Sequence, residues 1–536
     1  MLNSKNIMMN NFKKFGFLSF FLLTISCDEF LEVEPKGEIA ETFFNSAEDY
    51  DKALIGAYDM LQATFWGTQT AVIASPDIVA GGDRLNYDQP TLQDVDKMKH
   101  TQSTYVQIRD IWQLAYAGMN RANYLLEYKD KMDFDGRDNI IGQAYFLRAY
   151  YAFELAKFFG DIPLLLDTSG SVDRIMDKRV QAGDQFSVLR SSGTVGKAGT
   201  PENAYALIAE DLKDAISMLP VSQARTGAAT KGAAQALLGK VLLYHATYDS
   251  TKYAEAATQL DAVIDSGNYR LLAHGTEFNN IWEASAENGP ESIFEVQYTS
   301  VEGAGWGCII CSEGTYMPKF NNPRSPYANP KYPAGWGFTL PTPMLYNAYK
   351  AGDSRRDLTI LDVRTDDTRD ESREDTGFFT KKYLVHTDND NDRKGSDPLN
   401  YDNNYRSIRY ADVLLMAAEA HANSNNSSQA ETYLNQVRAR AFGDNSQDYT
   451  SAEGSLSDAI LAERRLELAA EGHYFFDLVR TGKAKAAFDS YNSSYASGDA
   501  RPAIQYTENK NEFLPIPLVE LELANAIGRW GQNEGY

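Results

Sequence analysis

Two stretches far apart in the chain repeat one pattern, and that pattern restricts the fold more than any other feature of the sequence. Residues 229–248 and 252–265 read as consecutive helices, with Ala233, Ala236 and Gly239 letting them approach and Leu238, Leu242 and Tyr253 filling the gap. Residues 406–423 and 427–441 form a second pair, with Ala411, Leu414, Leu415, Ala418 and Ala422 at i, i+3, i+4, i+7 and i+11. Small and apolar residues at this spacing trace a stripe for tight helix packing. Further helices are expected from Ser46, where Ser46-Ala47-Glu48-Asp49 has the form of a capping box, and near 100–130, 138–159 and 202–218. Trp112, Tyr116 and Met119 make a core stripe, and Gly160-Asp161-Ile162-Pro163 is a helix stop. The segments from Gly67 to Thr91 and from about 167 to 200 read as loops. Residues 266–405 change character: Gly, Pro, Asn, Asp and aromatics dominate, around one clear strand candidate at 292–298. No strict 34-residue period joins the helix pairs, so a repeat-like helical frame with insertions is expected rather than a plain solenoid.

The N-terminus sets the compartment. Lys5, Lys13 and Lys14 are the only charges before Asp28, and they precede an apolar run of 11 residues, Phe15 to Ile25, too short for a permanent membrane span. A basic start, a short apolar stretch and the small residue Ser26 make a secretory signal. Leu23-Thr24-Ile25-Ser26-Cys27 resembles a bacterial lipoprotein signal, in which the cysteine is acylated and becomes the mature N-terminus, although Thr24 stands where a branched aliphatic is usual. An ordinary signal peptide cut nearby is the alternative. The whole chain of 536 residues carries 51 basic and 74 acidic side chains, a net charge of −23, which argues against nucleic-acid binding. Three cysteines cannot build a disulfide framework.

Over essentially the whole chain beyond the expected signal, the sequence resembles the SusD/RagB-type family of surface lipoproteins of Bacteroidetes. The resemblance rests on Gly142-Gln143-Ala144-Tyr145-Phe146-Leu147-Arg148-Ala149 and Gly160-Asp161-Ile162-Pro163, then on the run Ile408 to Ala420 and Val437-Arg438-Ala439-Arg440-Ala441. It continues through Glu463-Arg464-Arg465-Leu466-Glu467-Leu468-Ala469-Ala470-Glu471-Gly472, Phe476-Asp477-Leu478-Val479-Arg480-Thr481-Gly482 and Leu514-Pro515-Ile516-Pro517 with Glu520. Asn525-Ala526 departs from the family's usual Asn-Pro. The resemblance implies a mainly α fold, tetratricopeptide-like helix pairs packed against a loop-rich half with a few short strands. It implies a signal over 1–26 and one SusD-like domain over 27–536, with a frame at about 40–265 and 406–536 and a binding insertion at about 266–405. It further implies a non-enzymatic, surface-exposed outer-membrane lipoprotein, lipidated at Cys27. Such proteins capture oligosaccharide or polysaccharide, or in some members peptide, for a TonB-dependent, SusC-like transporter. The charges of these stretches read as scaffold, with Arg464 and Glu467 on one helix face and Glu471 opposite Arg480.

A sugar-binding site needs aromatic plates beside Asp, Asn or Arg for hydrogen bonds. Two regions offer this mixture. One holds Phe65, Trp66 and Gly67 with Asp77, Asp83, Arg84, Asn86 and Tyr87; the other holds Trp306, Tyr316 and Trp336. Both Trp306 and Trp336 are flanked by glycines, which favours exposure; the competing reading has each tryptophan plugging the core beneath its loop. The expected ligand contacts are Trp66, Asp83, Arg84, Tyr87, Trp306, Tyr316 and Trp336. Cys308 and Cys311 share only spacing with a redox motif, and read as two buried small residues or a surface disulfide. Asp388 to Asp392 fails as an EF-hand because Arg393 and Leu399 stand where Gly and Glu are required, leaving a solvated acidic turn or a looser calcium site. No cofactor is expected, and no nucleotide loop, serine-hydrolase elbow or zinc-protease motif occurs. A glycoside hydrolase is the competing enzyme reading, and a peptide-binding lid of the same family the competing binding one.

Overall fold

The computed structural model describes residues 43–101, 106–160, 162–163, 204–301, 303, 305–306, 311–324, 331–366, 368–384, 395, 398–495, 503–526 and 531–536. The expected signal, Cys27, Cys308, the Asp388–Asp392 run and the expected 167–200 loop lie outside these residues. Two units emerge, 1–49 and 50–536. In the first, the Ser46 hydroxyl accepts from the Asp49 amide at 3.2 Å and donates to its carboxylate at 2.8 Å, the cap expected from the sequence. The helix it starts is α1, Ala47–Asp59.

The second unit is built on a run of helices, each packed on the next: α3 (Val106–Glu127), α4 (Arg137–Phe159), α5 (Ala204–Met218), α6 (Lys231–Ala246), α7 (Lys252–Asp265), α8 (Tyr410–Asn423) and α9 (Ser427–Phe442). Trp112 and Met119 are buried, as the stripe on α3 requires. Helix α4 is buried along most of its length, with Arg148 paired to Asp211 inside, and Gly160 ends it at φ +66°. Between α6 and α7 the bare face works as expected: a Cβ on Gly239 would lie 2.5 Å from Leu260. The chain closes with α10 (Leu456–Glu467), α11 (Tyr474–Arg480), α12 (Ala484–Tyr495) and α13 (Leu518–Ala526). The fold is mainly α, and none of the described helices is long and apolar enough to cross a membrane.

The strands among the described residues form three antiparallel pairs: β1 (Ile78–Ala80) with β3 (Thr339–Pro341), β2 (Ser292–Val296) with β6 (Tyr405–Arg409), and β4 (Ile360–Asp362) with β5 (Phe378–Thr380). Two expectations are corrected here. Residues 405–409 are strand, and the second helix pair begins only at Tyr410, because the strand candidate at 292 needs a partner for its backbone. The expected loop from Gly67 instead begins inside a helix, α2 (Phe65–Ile73), every residue of which is buried.

The β2–β6 pairing also organises the charges. It brings Glu291 beside Arg409, whose guanidinium donates to Glu291 at 2.9 Å, Glu467 at 2.6 Å and Glu471 at 2.8 Å. Arg440 shares Glu291 and Glu467, and Lys382 donates to Glu471 at 2.7 Å. Beside this cluster Arg464 joins Asp412 and Asp477, while Arg480 joins Asp477 and Glu419. These charges are therefore scaffold, but their partners differ from the sequence expectation. Glu471 faces Arg409 and Lys382 rather than Arg480, and Arg464 and Glu467 serve different clusters. Burial alone raises the Glu471 carboxyl, but Arg409 and Lys382 outweigh it and hold it below the usual carboxylate range.

Candidate functional site

The two regions singled out in the sequence meet at one surface. Its floor is α2, which carries Phe65 and Trp66 into the core, and the one-turn helix Met317–Asn321, which carries Phe320 behind Tyr316. Tyr316 packs edge-on against Phe65 with ring centres 4.1 Å apart and against Trp66 at 5.1 Å. Above them Trp336 meets Phe320 at 5.2 Å and Tyr316 at 6.5 Å. Trp306 caps the series, 6.2 Å from Trp336 with the planes tilted by 32°. The result is a continuous aromatic column from the core to solvent, with Trp306 55% exposed, Trp336 half-buried, and Trp66 and Tyr316 only 7% and 2% exposed.

Trp66 and Tyr316 therefore differ from the exposed plates expected. Trp66 sits on a buried helix rather than a loop, and Tyr316 is enclosed by Phe65, Trp66, Phe320 and Trp336. They act as the footing of the outer pair. The glycines around Trp336 also have another reason than exposure. A Cβ on Gly335 would lie 2.5 Å from that of Asn322, and Gly337 takes φ +62°. The close approach lets the Trp336 amide donate to the Lys319 carbonyl at 2.7 Å and the Gly337 amide to that of Asn322 at 2.9 Å.

The Asp83 loop lies alongside. Gly81 and Gly82 donate to the carbonyls of Phe338 and Gly337 at 2.9 and 2.8 Å, so the loop is stitched to the segment bearing Trp336. Asp83 accepts from the amides of Leu85 and Asn86 at 2.8 and 2.9 Å, and these N–H groups hold its carboxyl below the usual range. Arg84 pairs with Glu371 at 2.9 Å, both well exposed. Tyr87 donates to Asp94 at 2.5 Å, and the Arg373 guanidinium lies 5.2 Å from its ring centre. Asp77 is removed from this surface: it is buried and accepts from Arg465 at 2.7 Å.

Arg324, Phe320, Glu371 and Arg373 were absent from the sequence reading. Arg324 donates to Asp83 and to the Trp336 carbonyl, each at 3.3 Å. Its neighbours Pro323 and Ser325-Pro326 form no motif, and nothing in its local sequence signals the role. Cys311, next to this region, is disulfide-bonded, and its partner is not among the described residues. Chemically, the surface offers the exposed Trp306 indole, with the half-buried Trp336 against it, beside a rim of Asp, Glu and Arg already paired with each other. It suits a ligand with apolar faces and hydroxyls at its edge.

The family model described as "SusD family" matches residues 353–536, and one described as "Starch-binding associating with outer membrane" matches residues 29–243. SusD-like protein P2 of Formosa agariphila is 26% identical over 95% of this chain and 97% of its own. Surface glycan-binding protein A from Bacteroides thetaiotaomicron, solved in complex with laminarihexaose, superposes with a TM-score of 0.76 at 26% identity, covering 91% of this chain and 100% of that one. A laminarin binding SusD-like protein reaches 30% identity and a TM-score of 0.76 over 92% of this chain and 100% of its own. Since that identity extends over nearly the whole chain, and the two family models match both ends of the helical frame, the chain belongs to the SusD family.

Proposed function

We propose that the protein binds a glycan on the face formed by Trp306 and Trp336, without turning it over. The carrying observation is the aromatic column, which brings Trp306 to solvent above a half-buried Trp336 on a buried footing. Relatives described as laminarin binding and as solved with laminarihexaose support a carbohydrate ligand. In this reading Asp83, Arg84 and Tyr87 form the rim, and Trp66 and Tyr316 support the face from below. The protein works at the cell surface as one domain over 27–536, anchored through a lipid on Cys27 after loss of residues 1–26, and passes its ligand to a TonB-dependent transporter. Outer-membrane association in the family description supports that location.

Affinity electrophoresis of residues 27–536 against a polysaccharide panel that includes laminarin tests the reading. Retention is expected on at least one glycan, and Trp306→Ala and Trp336→Ala should each weaken it about tenfold or more, about 1.4 kcal/mol. Unchanged retention in both variants would remove the face from consideration, and release of reducing ends would refute the absence of catalysis. Replacing Cys27 by Ser should move the protein out of the membrane fraction.

A further inference from the structure

We propose that Arg324 is a positioning residue: its guanidinium sets the pitch of Trp336 against Trp306 by tying the Trp336 peptide to the Asp83 loop. The inference rests on the glycan-binding reading for its consequence, but not for its geometry.

The Trp336 backbone is held on both sides of its Cα. Its N–H donates inward to the Lys319 carbonyl at 2.7 Å, and its C=O accepts from Arg324 Nη1 at 3.3 Å. The same guanidinium reaches Asp83 through Nη2 at 3.3 Å. A planar fork with fixed spacing satisfies two acceptors at once, which a lysine ammonium on a flexible stem does only with looser geometry. The arginine is itself fixed: its backbone forms a parallel bridge with Gly335, and its Cγ lies 2.9 Å from where a Cβ on Gly337 would stand. Asp83 is fixed independently by the amides of Leu85 and Asn86. Arg324 thus joins a pre-set carboxylate to the backbone carbonyl of the residue that bears the indole. Its side chain is only 20% exposed, and both donors used are turned to protein acceptors. These two bonds use two of the five guanidinium N–H donors, so a circular dichroism readout, and not retention alone, separates positioning from direct contact.

The two indoles lie 6.2 Å apart at a fixed tilt, close enough for their excited states to couple, so their relative pitch is readable without ligand as an exciton couplet in far-ultraviolet circular dichroism. The full mature chain is compared with Arg324→Met, Arg324→Lys, Asp83→Asn and Trp306→Phe, the last identifying the couplet. Arg324→Met is expected to shrink the couplet markedly, with a sharp cooperative melt retained, and to weaken retention on laminarin, or on whichever panel glycan the parent binds, about tenfold. Arg324→Lys should fall between it and the parent. A couplet unchanged in a folded Arg324→Met variant overturns the proposal, whether or not retention falls, since loss of retention alone makes Arg324 a direct contact. Should Arg324→Met fail to fold, Asp83→Asn weakens the same tie from the other end, and the same two outcomes apply to it. A couplet that responds while the parent binds no glycan sustains the positioning role and refutes the glycan reading instead.

Discussion

Glu287 keeps its proton to a higher pH than an ordinary carboxyl group. Burial, with Glu295 and Asp402 nearby, pushes its carboxyl up to about 7, although the Asn404 amide donates to it at 2.9 Å. Because the folded form holds this proton where the unfolded chain has already lost it, stability falls as pH rises from about 4.5 to about 7 and is flat beyond. Glu287→Gln, which keeps the acceptor and removes the charge, is expected to raise the melting temperature at about pH 8 and leave it nearly unchanged at about pH 5. A differential scanning trace at the two values decides it. The opposite case is Glu467, which burial would raise but Arg440, Arg409 and Arg355 hold far below the usual range. Its charge supports the fold at neutral pH, and that support is lost as acid titrates it. Glu467→Gln leaves three buried guanidiniums short of a partner and should cost about 3–5 kcal/mol in urea unfolding. That these residues are scaffold was legible from their placement on a helix. Their partners were not, because Glu291 and Arg409 lie 118 positions apart and meet only through the β2–β6 register.

Among the elements, α6 and α7 were the easiest to read, since small residues on one face have one use. Gly239→Val places two methyls where Leu260 already stands and is expected to cost about 1–3 kcal/mol, with part recovered by Leu260→Ala in the same chain. Equilibrium denaturation of the two single variants and the double variant measures it. Helix α2 was misread because Gly67, Pro76 and the glycines at 81 and 82 punctuate the segment as loop residues do. Gly67 in fact gives room to Phe158, with a Cβ there lying 3.2 Å from its ring. Strand β6 was hidden in a run that continues helical spacing from 411 back to 408, and tertiary pairing outweighed local preference. The aromatic site was half legible. Residue types and glycine flanks pointed to Trp306 and Trp336, whereas the depth of Trp66 and Tyr316 depends on which elements stack beneath.

At the scale of the molecule, the loop-rich residues 266–405 are tied to the frame that flanks them. Arg355 and Lys382 of this segment pair with Glu463, Glu467 and Glu471 of the frame, and Glu291 reaches Arg440. Replacing residues 268–404 by a short Gly/Ser linker is therefore expected to abolish cooperative melting, since Glu463, Glu467, Glu471 and Arg440 each lose a charge partner and β6 loses its pairing strand. A broad calorimetric trace would agree with this, and a sharp transition in the shortened chain would refute it.

The interlocked charges also limit how such a protein can change over generations. An apolar side chain is exchanged for another by small steps, each tolerable. Arg409, with three carboxylates around it, offers no such step: any single replacement strands several charges, and only simultaneous exchange of the set reaches another stable core. Trp306 stands at solvent, where replacement leaves no buried charge behind. Lineages descending from this chain are thus free to alter Trp306 and its exposed surroundings while the centre stays as it is.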